Sequence, residues 1–168
     1  MFATGDFVAK YVENYVKINP NGVDLAPIRI FMIPTEDIIA VLDGNKRGFL
    51  KNNMFHEVYD IKVEIEPHAN GYYKIPANSI IEAVFPKVEI PHDFVGIMFP
   101  RSTLNRLGII KSQTGLLDSG YVGTPTQTFH FLINTHISIK ESWVQLTFIK
   151  SIEKVKEGYS GYYQKKII

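Results

Sequence analysis

The sequence predicts a mainly β domain with a short N-terminal helix and one short internal helix. Three observations carry that expectation. Ile61, Val63 and Ile65 alternate with Lys62, Glu64 and Glu66, the two-residue period of a strand with one wet face. Similar short runs, rich in β-branched and aromatic residues, recur at 28–33, 38–42, 80–88, 94–99, 126–133 and 144–149. Turn chemistry separates the runs, at Asp43-Gly44, Asn70-Gly71 and Pro76 to Asn78. Many short strands joined by polar turns predict a sandwich, a jelly roll or a barrel.

Taken from the N-terminus, Phe7, Val8, Tyr11, Val12, Tyr15 and Val16 recur at helical spacing behind Gly5 and Asp6. That predicts an amphipathic helix stopped by Asn19, Pro20, Asn21 and Gly22. The strand-like runs follow, interrupted at 101–107 by a short helical turn. Residues 153–168 mix Lys, Gly and Tyr without a clean period and read as a mobile C-terminal arm. There is no internal repeat and no low-complexity segment, so the 168 residues (1–168) read as a single domain, long enough to bury a core without staples.

Composition narrows the function. Hydrophobic residues make up 45% and charged residues 21%, an ordinary globular balance. Lys and Arg number 18 against 17 Asp and Glu, so the net charge of +1 offers no broad basic field for a nucleic-acid polymer. The absence of cysteine excludes disulfides, thiolate zinc sites and cysteine nucleophiles. The first residues lack the basic start and apolar run of a signal peptide, and no stretch approaches the ~18 apolar residues of a membrane span, so a cytoplasmic protein without a membrane partner is expected. No Walker loop, dinucleotide-binding glycine pattern, paired-histidine zinc helix or serine elbow is present. His56, His68, His92, His130 and His136 are scattered without ligand spacing.

Four constellations remain, and their order matters. In the first, Pro20 to Leu25, a turn delivers Asp24 to the start of an apolar strand, as a turn former or a site acid. The second, Pro100 to Gly108, places Arg101, Ser102, Thr103 and Arg106 on one helical turn, whose free N–H groups and guanidinium groups suit phosphate oxygens; a capped surface turn has the same composition. The third, Gly115 to Gly123, holds Asp118, Tyr121 and three glycines in a hairpin-like segment. Asp118 can accept a proton and Tyr121 offers a flat face to a sugar or base, although an Asp-Ser-Gly turn between strands has the same residues. The fourth pairs Gln145, ahead of a strand, with a distant Gly158 to Gln164 tail rich in tyrosine, able to close over a ligand or to pack on a neighbour.

In this order the four resemble the motif series of the deoxyuridine triphosphatase and deoxycytidine triphosphate deaminase superfamily. The resemblance runs from about Asn19 to Gln164 and is most specific over Pro100 to Gly123. It leans toward the archaeal-type deoxyuridine triphosphatases, which share the Asn-Gly-Val-Asp-Leu start and the glycine-tyrosine tail. The resemblance implies a jelly-roll-like, distorted β-barrel forming a homotrimer with active sites between subunits, and a nucleotide-metabolising hydrolase that converts dUTP and water to dUMP and pyrophosphate. Mg²⁺ held by the nucleotide phosphates, with no direct protein ligand, is the implied cofactor.

Carried over by residue, the resemblance implies phosphate contacts at Arg101, Ser102, Arg106, Gln145 and Gln164. It implies that Asp118 holds the 3′-hydroxyl and orients the attacking water, that Tyr121 packs under the deoxyribose, that Leu117 and Tyr159 complete the nucleoside site, and that Asp24 belongs to the supporting polar network. Two departures bear on the reaction. The deaminases of the superfamily carry a glutamate three residues before the asparagine that ends a strand; counted back from Asn134, that position is Phe131, which cannot shuttle protons. Trp143 stands where relatives often have arginine before the glutamine, and Tyr162 where deaminases have a tail lysine, so positive charge for the triphosphate must come from Lys165, Lys166 or a neighbour. The competing readings are a dCTP deaminase with another base and a non-catalytic deoxynucleotide-binding homologue.

Overall fold

Short apolar runs bury a face only by pairing with one another, and in the computed structural model they do so in antiparallel sheets. The structure describes residues 1–44, 46–112 and 116–168. The largest sheet orders its strands as Ile109–Lys111, Thr126–Phe131, Ser79–Val84, Arg29–Ile33 and Val63–Glu64. The second orders Lys17–Asn19, Gly22–Leu25, Val144–Lys150 and Phe94–Pro100. A three-stranded sheet, Ile38–Asp43, Lys46–Lys51 and Met54–Glu57, stands apart, and two further strand pairs join Tyr72–Ile75 to Thr135–Ser138 and Val88–Glu89 to Val122–Gly123. The fold is mainly β and jelly-roll-like; among the described residues the sheets do not close into one continuous barrel.

Alternation along the two main sheets builds one core. Ile30, Ile81, Ala83, Phe129 and Phe131 come from the first sheet, and Val23, Leu25, Met98, Leu146 and Phe148 from the second, all buried in the same cluster. Each large side chain contributes roughly 1.5–3 kcal/mol by leaving water. Trp143 joins the sheets: fully buried, its ring meets Phe129 edge-on at 5.1 Å and Phe131 at 5.5 Å.

Tertiary pairing overrides several local expectations. The N-terminal helix spans only Gly5–Ala9, capped by Thr4, whose hydroxyl accepts from Phe7 N at 3.3 Å. Its expected continuation to Val16 gives way to extended chain: Val12 bridges Val88, and Val16 N donates to Asp24 O at 2.8 Å. β-branched valines lose less by pairing across a sheet than by stiffening a helix. The 80–88 run divides into Ser79–Val84 and Val88–Glu89 around Pro86, which has no N–H to give a ladder.

The alternating 61–66 segment is strand only at Val63–Glu64; Ile65 packs on the core and Glu66 is exposed as expected, but inside and outside are exchanged at Lys62 and Val63. Val63 is 54% exposed, whereas the Lys62 side chain is 2% exposed. Lys62 lies 4.3 Å from the Tyr59 ring and donates to Glu82 Oε2 at 2.7 Å, because Glu82, buried on the sheet, needs a cation. The internal helix spans Ser102–Arg106, as the sequence predicts within a residue or so. No helix of the structure is long and apolar enough to cross a membrane.

Candidate functional site

The hairpin motif becomes a wall of a cavity through two local devices. Leu117 pairs with Gly96, each N–H donating to the other's carbonyl at 2.9 and 2.8 Å. At Gly96 a β-carbon would lie 2.9 Å from the tip of the Ile90 side chain and 3.2 Å from Leu117 Cβ, so a side chain there would have to push Ile90 aside and press on Leu117. Beyond Leu117 the chain turns: Tyr121 N donates to Asp118 O at 3.0 Å, and Gly120 supplies the positive φ of 80° that the turn requires. The buried Ser119 hydroxyl ties the turn to Phe94 O at 2.7 Å.

This turn presents Asp118 and Tyr121 to a cavity of about 330 Å³, within the range of small-molecule sites. Leu116, Leu117, Thr124, Thr126 and Gln127 line it from the hairpin and its following strand; Tyr159, Tyr163 and Lys166 line it from the C-terminal segment. Tyr121 is 6% exposed and meets the Tyr159 ring edge-on at 5.7 Å. Burial, with Tyr159 beside it, pushes the Tyr121 phenol up to about 12, so it is neutral at physiological pH. Lys166 Nζ sits 3.3 Å from the centre of the Tyr162 ring, a cation held at the cavity wall by an aromatic face.

The cationic turn is built differently. Strand Phe94–Pro100 ends against Val144, and Arg101 N donates to Trp143 O at 3.0 Å, which fixes where the helix Ser102–Arg106 begins. Leu104 anchors that helix in the core, leaving Ser102 and Arg106 exposed. The Arg101 guanidinium pairs with the carboxylate of Asp24, which is 2% exposed and also accepts from Asn19 Nδ2 at 2.7 Å. Gln145 is the register partner of both Asp24 and Phe99, so it shares their face of the sheet.

These two clusters are separate within one chain. Gly96 is paired with Leu117, and Arg101 lies five residues farther along the strand direction. Asp118 runs antiparallel, away from it. At ~3.3 Å per residue the backbones of Asp118 and Arg101 are about 20 Å apart. The cavity wall accordingly contains Leu117, Asp118, Tyr121 and Tyr159 but not Asp24, Arg101, Ser102, Arg106 or Gln145. Gln164 belongs to neither polar cluster: Val122 N donates to its Oε1 at 2.9 Å, and its Nε2 donates to Gly120 O at 2.8 Å. Gly115, the first residue of the hairpin motif, lies outside the described residues.

Sequence reasoning missed Thr124, Thr126 and Gln127, whose only signal is their position just after the hairpin motif. Trp143 is fully buried among aromatic rings and is a core residue, whatever charge a relative has nearby. Among the described residues, no group of three or more His, Asp and Glu side chains could hold a metal ion.

Residues 3–149 match the model of the dCTP deaminase-like family. The chain belongs to that family. Its relatives divide between two activities. A probable deoxyuridine 5′-triphosphate nucleotidohydrolase of Methanococcoides burtonii is 28% identical over 170 residues, covering 100% of this chain and 93% of its own length. Another protein of that name, from Methanosarcina acetivorans, is 29% identical, covering 96% of this chain and 89% of its own length. A dUMP-forming dCTP deaminase of a Sulfurihydrogenibium species is 25% identical over 151 residues, 89% of this chain and 78% of its own. For this member of the dCTP deaminase-like family, an enzyme of nucleotide metabolism is the level at which these likenesses agree. The matched stretch stops before Tyr159, Gln164 and Lys166, so the tail must be read from its own contacts.

Proposed function

We propose that this chain is a dUTP diphosphatase, hydrolysing dUTP to dUMP and pyrophosphate. The observation that carries the reading is a nucleoside-sized cavity whose one carboxylate among the described residues is Asp118, set beside the buried ring of Tyr121. Asp118 orients a water molecule and takes its proton as the oxygen attacks the α-phosphorus, and the pyrophosphate leaves from the opposite side. Tyr121 packs against the deoxyribose, where its bulk leaves no room for a 2′-hydroxyl; Leu117 and Tyr159 enclose the base. Lys166 supplies positive charge at the rim.

The phosphates need the second cluster. Arg101, Ser102, Arg106 and Gln145 carry the donors, with Asp24 holding Arg101 in place. About 20 Å of strand separates Arg101 and the helix that follows it from Asp118 in one chain. The complete site therefore forms between copies in a homotrimer, one copy giving the hairpin and its neighbour the cationic turn. The oxygen groups of the cavity, the Asp118 carboxylate and several hydroxyls, suit an Mg²⁺ brought in with the nucleotide, and such an ion would neutralise charge on the triphosphate.

Deamination is disfavoured on a local observation. A deaminase needs a second proton-transfer group near the base, and Phe131 is fully buried against Trp143. The test is a screen of the deoxynucleoside triphosphates, with and without Mg²⁺, for pyrophosphate and for ammonia, with light scattering for the mass of three chains. Pyrophosphate from dUTP and no ammonia from dCTP is the expected result. Ammonia from dCTP would assign the deaminase activity instead, and tight nucleotide binding without pyrophosphate would make the chain a binding homologue.

A further inference from the structure

Segment 120–124 is bonded along both edges. On one side Gly120 N donates to Ile90 O at 2.9 Å and Ile90 N to Tyr121 O at 2.8 Å. On the other side the C-terminal tail covers it. Lys165 N donates to Val122 O at 2.7 Å, and Thr124 N donates to Lys166 O at 3.1 Å. The adjoining pair, Val122 N and Gly120 O, is met by a side chain: Gln164 Oε1 accepts at 2.9 Å and Gln164 Nε2 donates at 2.8 Å. A carboxamide carries an acceptor and a donor side by side, as a peptide group does, so Gln164 continues the ladder where the tail backbone leaves it.

Gln164 lies in sequence between Tyr159 and Tyr163 on one side and Lys166 on the other, the tail residues that line the cavity. The approach of tail to hairpin also requires two glycines. A β-carbon on Gly158 would lie 3.2 Å from Gly120 Cα and 3.0 Å from the His92 ring, and one on Gly120 only 2.8 Å from Gly158 Cα. Tyr159 N then donates to Ser119 O at 2.8 Å, which brings its ring against Tyr121.

We propose that Gln164 is a positioning residue: its carboxamide fastens the tail to the hairpin of its own chain and so holds Tyr159 and Lys166 as a wall of the Asp118 cavity. It acts through those two residues and not by touching phosphate. The kinetic part of the test rests on the dUTP reading above; the structural part does not. The chemistry demands one donor and one acceptor at this side chain. In Gln164→Leu both bonds vanish. In Gln164→Glu the carboxylate opposes the carbonyl of Gly120, and only the protonated acid restores a donor.

The experiment compares hydrogen exchange of the hairpin and tail amides in the full-length, nucleotide-free protein, each variant against the original at the same pH. Gln164→Leu is expected to exchange at Val122 and Tyr159 roughly tenfold faster or more at every pH. Gln164→Glu is expected to match it at pH 7 and to recover protection as pH falls toward about 4.5, near the ordinary range of a glutamate. Gly158→Ala, which keeps the carboxamide but blocks the crossing, should show the same loss of protection. With dUTP, Gln164→Leu should raise KM roughly tenfold while kcat changes less than about threefold. Unchanged exchange in all three variants would overturn the proposal, as would a KM that falls, since the tail would then be a plug and not a wall. If no nucleotide is turned over by the original protein, the dUTP reading fails while the exchange result still decides the role of Gln164.

Discussion

Around Arg101 the chain secures its charges by burial: Asp24 is 2% exposed, held by Asn19 and the guanidinium, on the interior of a four-stranded sheet. Around Asp118 it secures a shape by contact between a tight turn and a tail that contributes no strand, with Tyr159 and Lys166 laid against the hairpin through a few backbone bonds and one carboxamide. The first region is part of the fold's stability, so it can present a cation without reorganising. The second rests on fewer contacts, a handful of backbone bonds and the Tyr159 ring packed against the core, so it contributes less to the fold's stability. A charge held by a buried partner and a wall held by a few hydrogen bonds place different demands on packing.

The largest effect expected from testing this contrast is on chemistry. Asp118→Asn should lower turnover roughly 10²- to 10⁴-fold with nucleotide affinity retained, read as pyrophosphate release against direct binding; near-normal turnover would remove Asp118 from the mechanism. Next comes stability at the cationic turn. Arg101→Ala strands the buried Asp24 carboxylate and should cost about 2–3 kcal/mol in urea unfolding, below the ~3–5 of a fully buried pair because the Arg101 side chain is 34% exposed. Tyr159→Ala, on the tail, should cost less than about 1 kcal/mol. Equal costs at the two positions would erase the distinction drawn between the regions.

A smaller effect is expected behind the turn. Trp143 Nε1 is buried with no hydrogen-bond partner among the described residues, so Trp143→Phe removes ring volume but also an unsatisfied N–H. The net cost should be about 1 kcal/mol, against about 3–5 kcal/mol for Trp143→Ala; a large loss from the Phe variant would mean that the indole N–H is bonded in solution. The smallest effect is at the surface. Arg29 donates to both Glu64 oxygens, at 2.7 and 2.6 Å, and this bonding holds the Glu64 carboxyl below its usual value of 4.5. A depressed carboxylate stabilises the fold above its unfolded pKa and loses that contribution as pH falls through the folded one. The stability gap between the original protein and Glu64→Gln should therefore be fully present at pH 6 and shrink once pH falls below the ordinary glutamate value, closing as the depressed carboxylate takes up its proton. A gap that persists in acid would show that packing, not charge, holds the pair.

Motifs that combine a turn with a chemically distinctive residue were legible from residue order. The Ser102–Arg106 helix, the Asp118 to Gly120 turn and the strand carrying Gln145 all lie where the sequence puts them, because glycine, proline and local hydrogen bonding act over a few residues. The three-stranded sheet was legible only in its first strand; Lys46–Lys51 and Met54–Glu57 carry too many charged or exposed side chains to show a period. The reversal at Lys62 and Val63 was hidden for another reason. Alternation reports burial against an average core, and Glu82, twenty residues away on a neighbouring strand, makes a lysine the better resident.

By itself the sequence determined the mainly β class, the order of the four motifs and the chemical types they carry, since periodicity, turn formers and side-chain chemistry are local properties. Only the tertiary structure decided that Asp118, Tyr121 and Tyr159 share a cavity, that Arg101 answers to Asp24 some 77 residues earlier, and that Gln164 bonds to the hairpin. Those pairings depend on strand register and on which groups are left needing partners once the sheets have formed. Neither is written in any short window of the chain.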